Sequence, residues 1–111
     1  MIKTYQDIDK YQKFVRMISD SYKVDPQMEL PVVALGLAGE TGEVTELLKK
    51  YLRDGNIDRK ALQKELGDVL AYLCLIADMM CISMQDVMDG NVEKLQGRLE
   101  RGTLRGSGND R

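Results

Sequence analysis

The chain has 111 residues, with 18 acidic and 16 basic side chains and a formal net charge of −2, so its length predicts a single domain. At 43% hydrophobic and 31% charged residues it has a globular balance rather than a disordered one. The slight acidic excess argues against a binder of nucleic-acid polymers, which needs a basic face for many phosphate contacts. The absence of histidine removes Ser-His-Asp and Cys-His catalysis, two-His zinc motifs and the Glu-x-x-His pattern of di-iron bundles. If the chain is an enzyme, carboxylates must do the work.

Four helices are expected, in an all-α domain covering residues 1–101. The first runs from about Thr4 to Tyr22, with Ile8, Tyr11, Phe14, Val15 and Ile18 on one face. A polar linker around Pro26 follows, and Pro31 suits the first turn of a second helix reaching about Arg53. Asp54-Gly55-Asn56 is turn chemistry, and Asp58 is the expected N-cap of a third helix extending to about Cys81. Helices two and three thus form a hairpin. Ser83 with Asp86 three residues on has the form of a capping box, opening a fourth helix to about Arg101. Residues 102–111, GTLRGSGNDR, read as a flexible Gly/Arg-rich tail, whose Arg105 and Arg111 are candidates to fold over bound phosphate.

The longest apolar stretch, Val69 to Ile82, has 14 residues and includes Asp78, short of the ~20 needed to cross a bilayer. No membrane span is expected, and the N-terminal MIKTYQDIDKYQ has no apolar signal core, which predicts a cytoplasmic protein. Cys74 and Cys81, too far apart along one helix for a disulfide, are expected to be core fillers, as are Met79, Met80, Met84 and Met88. The second half of the third helix is apolar on nearly every side. A chain of this size cannot cover it alone, which predicts a homo-oligomer, dimer or tetramer.

The segment GLAGETGEV places Glu40 and Glu43 one turn apart on helix two, and KELGDVLAYL repeats the spacing with Glu65 and Asp68 on helix three. Measured from the turn, each pair lies ~15 Å along its helix, so the hairpin sets them at similar height. Four crowded carboxylates need a neutralising cation, and an oxygen-only ligand set selects magnesium or manganese over zinc or copper. Such an ion keeps open positions that phosphate oxygens fill, which makes a polyphosphate the implied ligand. The other reading is that these are solvent-facing acids of amphipathic helices. Gly36, Gly39, Gly42 and Gly67 interspersed among them call for a packing or access reason, because helical glycine costs ~1 kcal/mol. On helix four Asn91, Lys94 and Arg98 form one stripe that suits phosphate, or else a solvated face paired with Glu93 and Glu100.

These motifs resemble the MazG-like nucleotide pyrophosphohydrolases of the all-α NTP pyrophosphatase superfamily. GETGEV and KELGDVLAYL match the family's E-x-x-E and E-x-x-D pattern with 21 residues between Glu43 and Glu65. The likeness extends through NVEKLQGRLERG and covers about Leu30 to Arg101. It implies a four-helix, bundle-like fold completed by homo-oligomerisation. It further implies magnesium held by Glu40, Glu43, Glu65 and Asp68, and phosphates held by Lys94 and Arg98 with Asn91. Tyr72 stands at a substrate-contacting position, and Tyr5, Tyr11, Gln12 and Phe14 are candidates for base recognition. The implied reaction cleaves a nucleoside triphosphate to monophosphate and pyrophosphate, with Glu40 the choice for the group that orients or deprotonates the water. A guanosine alarmone or damaged nucleotide is the alternative substrate, and a non-enzymatic helical interaction protein is the rival reading.

Overall fold

A computed structural model describes residues 4–102. They form α1 (Ile8–Ser21), α2 (Pro26–Asp54), α3 (Arg59–Met79) and α4 (Met84–Arg101), and no strand occurs among the described residues. Every helix start carries an acceptor side chain at its N-cap: Asp7, Asp25, Asp58 and Ser83 each accept from a backbone N–H of the first turn. The expected caps Asp58 and Ser83 serve as anticipated, the first accepting from Ala61 N at 3.0 Å and the second from Asp86 N at 3.1 Å. Gly55 (φ +78°) and Gly102 (φ +69°) end α2 and α4 in the left-handed conformation that glycine adopts without strain. Beyond Gly102, the predicted basic tail, with Arg105 and Arg111, lies outside the described residues.

Three boundaries differ from the sequence expectation, among them the end of α3, at Met79 rather than about Cys81. The first helix begins at Ile8, because Asp7 caps the amides of Asp9 and Lys10. The second begins at Pro26, not Pro31. Asp25 accepts from Gln27 N at 2.9 Å, Pro26 fixes the first helical φ, and Pro31 sits inside the helix where it removes one backbone hydrogen bond. The early turn is held because Val33 is buried at 3% exposure and Glu29 is bound by Arg16 of α1.

α3 is the hub of the arrangement. α2 lies antiparallel on it, while α1 packs on α3 and α4, and α4 departs from α3 at about 100°. The core is small: Val15, Val33, Cys74, Leu75, Ala77 and Met84 are buried, with Ile8, Tyr11, Leu70, Ala71, Tyr72, Ile76 and Met79 packed around them. Among the methionines, Met84 is a core filler as expected, whereas Met80 and Met88 are exposed. The radius of gyration, 16.7 Å, exceeds the ~13 Å of a compact chain of this length. Much apolar surface is left open on the hairpin, including Leu35, Leu52, Leu66, Leu73 and Met80. No single helix among the described residues is long and apolar enough to cross a membrane.

The joint between α3 and α4 is fastened from a distance. The buried Gln12 side chain donates to Cys74 O (3.1 Å) and Ile82 O (3.0 Å) and accepts from Met84 N (3.1 Å), so its amide satisfies the end of one helix and the start of the next. The α3 terminus closes with Ile82 N on Ala77 O and Cys81 N on Asp78 O, a Schellman pattern in which Cys81 takes the left-handed position at φ +58°. Of the two cysteines expected in the core, Cys74 is there and Cys81 is not. Cys74 is fully buried, and burial pushes its thiol up to about 11, whereas Cys81 lies past the helix end and is exposed. Because a non-glycine residue in this conformation costs on the order of 1 kcal/mol, Cys81→Gly is expected to raise the unfolding free energy by about that amount, measurable as a higher urea midpoint at unchanged slope.

Candidate metal centre

The antiparallel pairing of α2 and α3 sets Gly36 against Tyr72 and, one turn further, Glu40 against Glu65 and Asp68. A Cβ on Gly36 would lie 2.4 Å from the Tyr72 ring, so glycine here lets the ring lie against the α2 backbone. That is the packing reason sought for this glycine. Gly39, Gly42 and Gly67 meet no such neighbour.

One carboxylate oxygen from each of Glu40, Glu65 and Asp68 lies within 4.8 Å of the others. Glu40 and Glu65 are half-buried and Asp68 is exposed. Glu43 is exposed and lies outside this group. A hydrogen bond shared with Glu65, followed by desolvation and the charges of Asp68, Glu65 and Glu43, raises the Glu40 carboxyl above the ordinary glutamate range. Such crowding of hard oxygen donors fits a divalent cation of the magnesium or manganese type, which would neutralise the repulsion while leaving positions for other oxygens.

Beside the cluster opens a cavity of about 500 Å³ between α1, α2 and α3, within the size range of small-molecule sites. Glu40, Asp68 and Tyr72 line one end of it. Val15, Val33, Ala71 and Leu75 form its apolar walls, and Ser19, Tyr22 and Glu29 lie toward the start of α2. Arg16 borders this far end: its Nε donates to Asp78 Oδ2 at 2.7 Å, and its Nη1 to Glu29 Oε1 and Asp20 Oδ1. Burial opposes the guanidinium charge, but these bonds to Glu29 and Asp78 prevail and raise its pKa.

The remaining expected residues lie elsewhere. Asn91, Lys94 and Arg98 on α4 do not line the cavity. Arg98 is buried at 6% exposure, and both it and Lys94 are partnered within the described structure. Of the candidates for base recognition, Gln12 has its amide committed to the α3–α4 joint, which removes it from that role. Tyr5 stacks on Phe14 at 5.3 Å and meets Tyr11 edge-on at 6.4 Å, and none of the three lines the cavity. Glu29 and Arg16 were missed, because a helix begun at Pro31 leaves Glu29 in a linker and Arg16 with Asp20 looks like an ordinary surface pair.

The site of this all-α chain is thus a cluster of three carboxylates across an antiparallel helix hairpin, beside a largely apolar cavity. The chain belongs to the MazG nucleotide pyrophosphohydrolase domain family, whose model matches residues 31–102. It is 42% identical over 87 residues to the Gene 37 protein of Mycobacterium phage L5, covering 74% of this chain and 76% of that one. It is 33% identical over 81 residues to the uncharacterized protein YvdC of Bacillus subtilis (strain 168), covering 63% and 76%. No solved structure matches significantly. Family membership implies a nucleotide-directed hydrolase, and the family generally uses divalent metals.

The raised Glu40 carboxyl carries a stability consequence with a definite sign. Without cation, the folded chain holds that proton more tightly than the unfolded one, so ionising Glu40 destabilises the fold at neutral pH. As pH falls through the raised folded value the penalty disappears, and below the ordinary value of about 4.3 nothing further is gained. Asp54, lowered by its bond to Arg53, acts in the opposite sense, so the Glu40→Gln variant isolates the effect. Thermal melts in chelator are expected to show wild type gaining stability on mild acidification relative to Glu40→Gln, and millimolar magnesium is expected to remove that difference.

Proposed function

We propose that the protein is a magnesium-dependent nucleoside triphosphate pyrophosphohydrolase that converts ribo- or deoxyribonucleoside triphosphates to the monophosphate and pyrophosphate. The observation that carries this reading is the convergence of Glu40, Glu65 and Asp68 within 4.8 Å in a chain of this family. When bound, the cation supplies charge neutralisation for phosphate oxygens and a more acidic water. Glu40, Glu65 and Asp68 would hold it, with Glu43, one turn from Glu40 on α2, as the fourth carboxylate. Glu40, whose carboxyl is raised above the ordinary glutamate range, accepts the proton of the attacking water. Tyr72 closes the cavity over the substrate.

Asn91 and Lys94 are assigned to phosphate binding in the assembled oligomer, since α4 of the same chain does not border the cavity, while Arg98, buried within its own chain, is not. The exposed stripe Leu66, Leu73 and Met80, at seven-residue spacing on α3, together with Leu35 and Leu52 on α2, supports a homo-oligomer built on the hairpin's outer face. Such an assembly covers Leu73 and Met80, which stay exposed while Cys74, Leu75 and Ala77 are buried within the chain.

Asp68→Asn and Glu65→Gln are each expected to lower pyrophosphate release by about 100-fold or more, with helix content and oligomeric state unchanged. Full activity in both would remove the cluster from the reaction. A panel including normal triphosphates, guanosine tetraphosphate and oxidised nucleotides identifies the preferred substrate. Leu73→Glu is expected to dissociate the oligomer, seen as a lower sedimentation coefficient, because a buried charge in an apolar interface costs several kcal/mol.

A further inference from the structure

The cavity has two chemically distinct ends. At one, Glu40 and Asp68 belong to the carboxylate cluster, and at the other Glu29 is the charged group, beside the hydroxyl-bearing Ser19 and Tyr22. On one helix, Glu29 and Glu40 are separated by ~16 Å of rise, a separation that the side chains' reach shortens to suit a nucleoside lying between them. Glu29 is oriented. Arg16 Nη1 binds its Oε1, and Arg16 is itself fixed by Asp78 on α3, so the guanidinium ties α1, α2 and α3 together at that end. Glu29 lines the cavity, and with Oε1 bound by Arg16 its other oxygen keeps its capacity to accept.

Resting on the pyrophosphohydrolase reading, we propose that Glu29 is the specificity-determining residue of this site and that its free carboxylate oxygen accepts a hydrogen bond from the exocyclic amino group of the substrate's base. The substrate class is then nucleotides of cytosine, adenine or guanine. A carboxylate accepts from an amine such as that of cytosine or adenine, and from the guanine amine only where the base turns its C2 edge to it, whereas thymine and uracil carry no exocyclic amine and flank their one ring N–H with carbonyl oxygens. The apolar walls accept any base plane and do not discriminate. Charge and hydrogen bonding at the far end do, because the half-buried Glu29 carboxylate loses solvent on substrate binding and is repelled by the carbonyl oxygens of the wrong base. Arg16 is the positioning residue. It holds the carboxylate in place without touching the base.

The test is kcat/KM for dATP, dCTP, dGTP, dTTP and dUTP with wild type, Glu29→Gln and Arg16→Lys, alongside manganese affinity by electron paramagnetic resonance. The expected result is that at least one amino-bearing nucleotide exceeds dTTP and dUTP by about 10-fold or more. Glu29→Gln collapses that preference through KM, and Arg16→Lys weakens it in the same direction, with manganese affinity unchanged in both. Equal hydrolysis of all five by wild type, a preference for dTTP or dUTP, or an unchanged ranking in Glu29→Gln overturns the proposal. If wild type hydrolyses none of the five, nor any nucleotide of the wider panel, the pyrophosphohydrolase reading itself falls. Calorimetric titration with the α,β-methylene analogues of dCTP, dATP, dGTP and dTTP then decides the pocket independently. Tighter binding of an amino-bearing analogue, lost in Glu29→Gln, supports it; equal affinities or no binding overturn it.

Discussion

The register of α2 against α3 governs this molecule. A four-residue connection, Gly55 to Asp58, joins the two helices, and the Tyr72 ring fits against α2 because position 36 carries no side chain. That single contact sets which residues face each other one turn further on. Glu40 is thereby carried to Glu65 and Asp68, and like charges are forced together that would separate in any shifted alignment. Packing of an aromatic ring on a bare stretch of backbone offsets electrostatic repulsion a few ångströms away, an arrangement typical of sites where stability is given up for binding.

Around that hairpin the fold is thinly built. Six apolar residues form the buried core, and the remaining order depends on a few polar contacts placed where helices end or cross. Gln12 fastens the α3–α4 joint, and Arg16 spans three helices. Both lie on α1, so this short helix, with little direct approach to α2, serves as the tie between the hairpin and the rest. The open cavity between α1 and α2 follows from that division of labour.

Much of this was legible in the residues. Caps at Asp58 and Ser83, the turn at Gly55 and the hairpin were each specified by local chemistry that operates over a few residues. The acid pairs were legible for the same reason, since a short turn sets the two pairs at similar height, although the observed register brings Glu40 rather than Glu43 to Asp68. What escaped was long-range. Pro31 is a sound first-turn residue, yet Asp25-Pro26 makes a better start once tertiary contacts at Glu29 and Val33 support the extra turn. Gln12 shows no sign in the sequence that its amide will be used up by carbonyls more than 60 residues away. The αL position at Cys81 lacks the glycine that would have announced it, so the helix was drawn two residues too long. Glu43 satisfies the spacing, but side-chain orientation decides membership of the cluster and spacing does not.

The two ends of the site also differ in how they come into being. The carboxylate cluster lies wholly within the hairpin, whose ends meet through a very short loop, so the entropy of closing it is small. The cavity wall supplied by α1 requires the chain to return across a separation of 62 residues, the distance in sequence between Gln12 and Cys74. Chain topology thus imposes an order of assembly in which local contacts form quickly and remote ones late: a nascent molecule has its acidic cluster well before it has a cavity beside it.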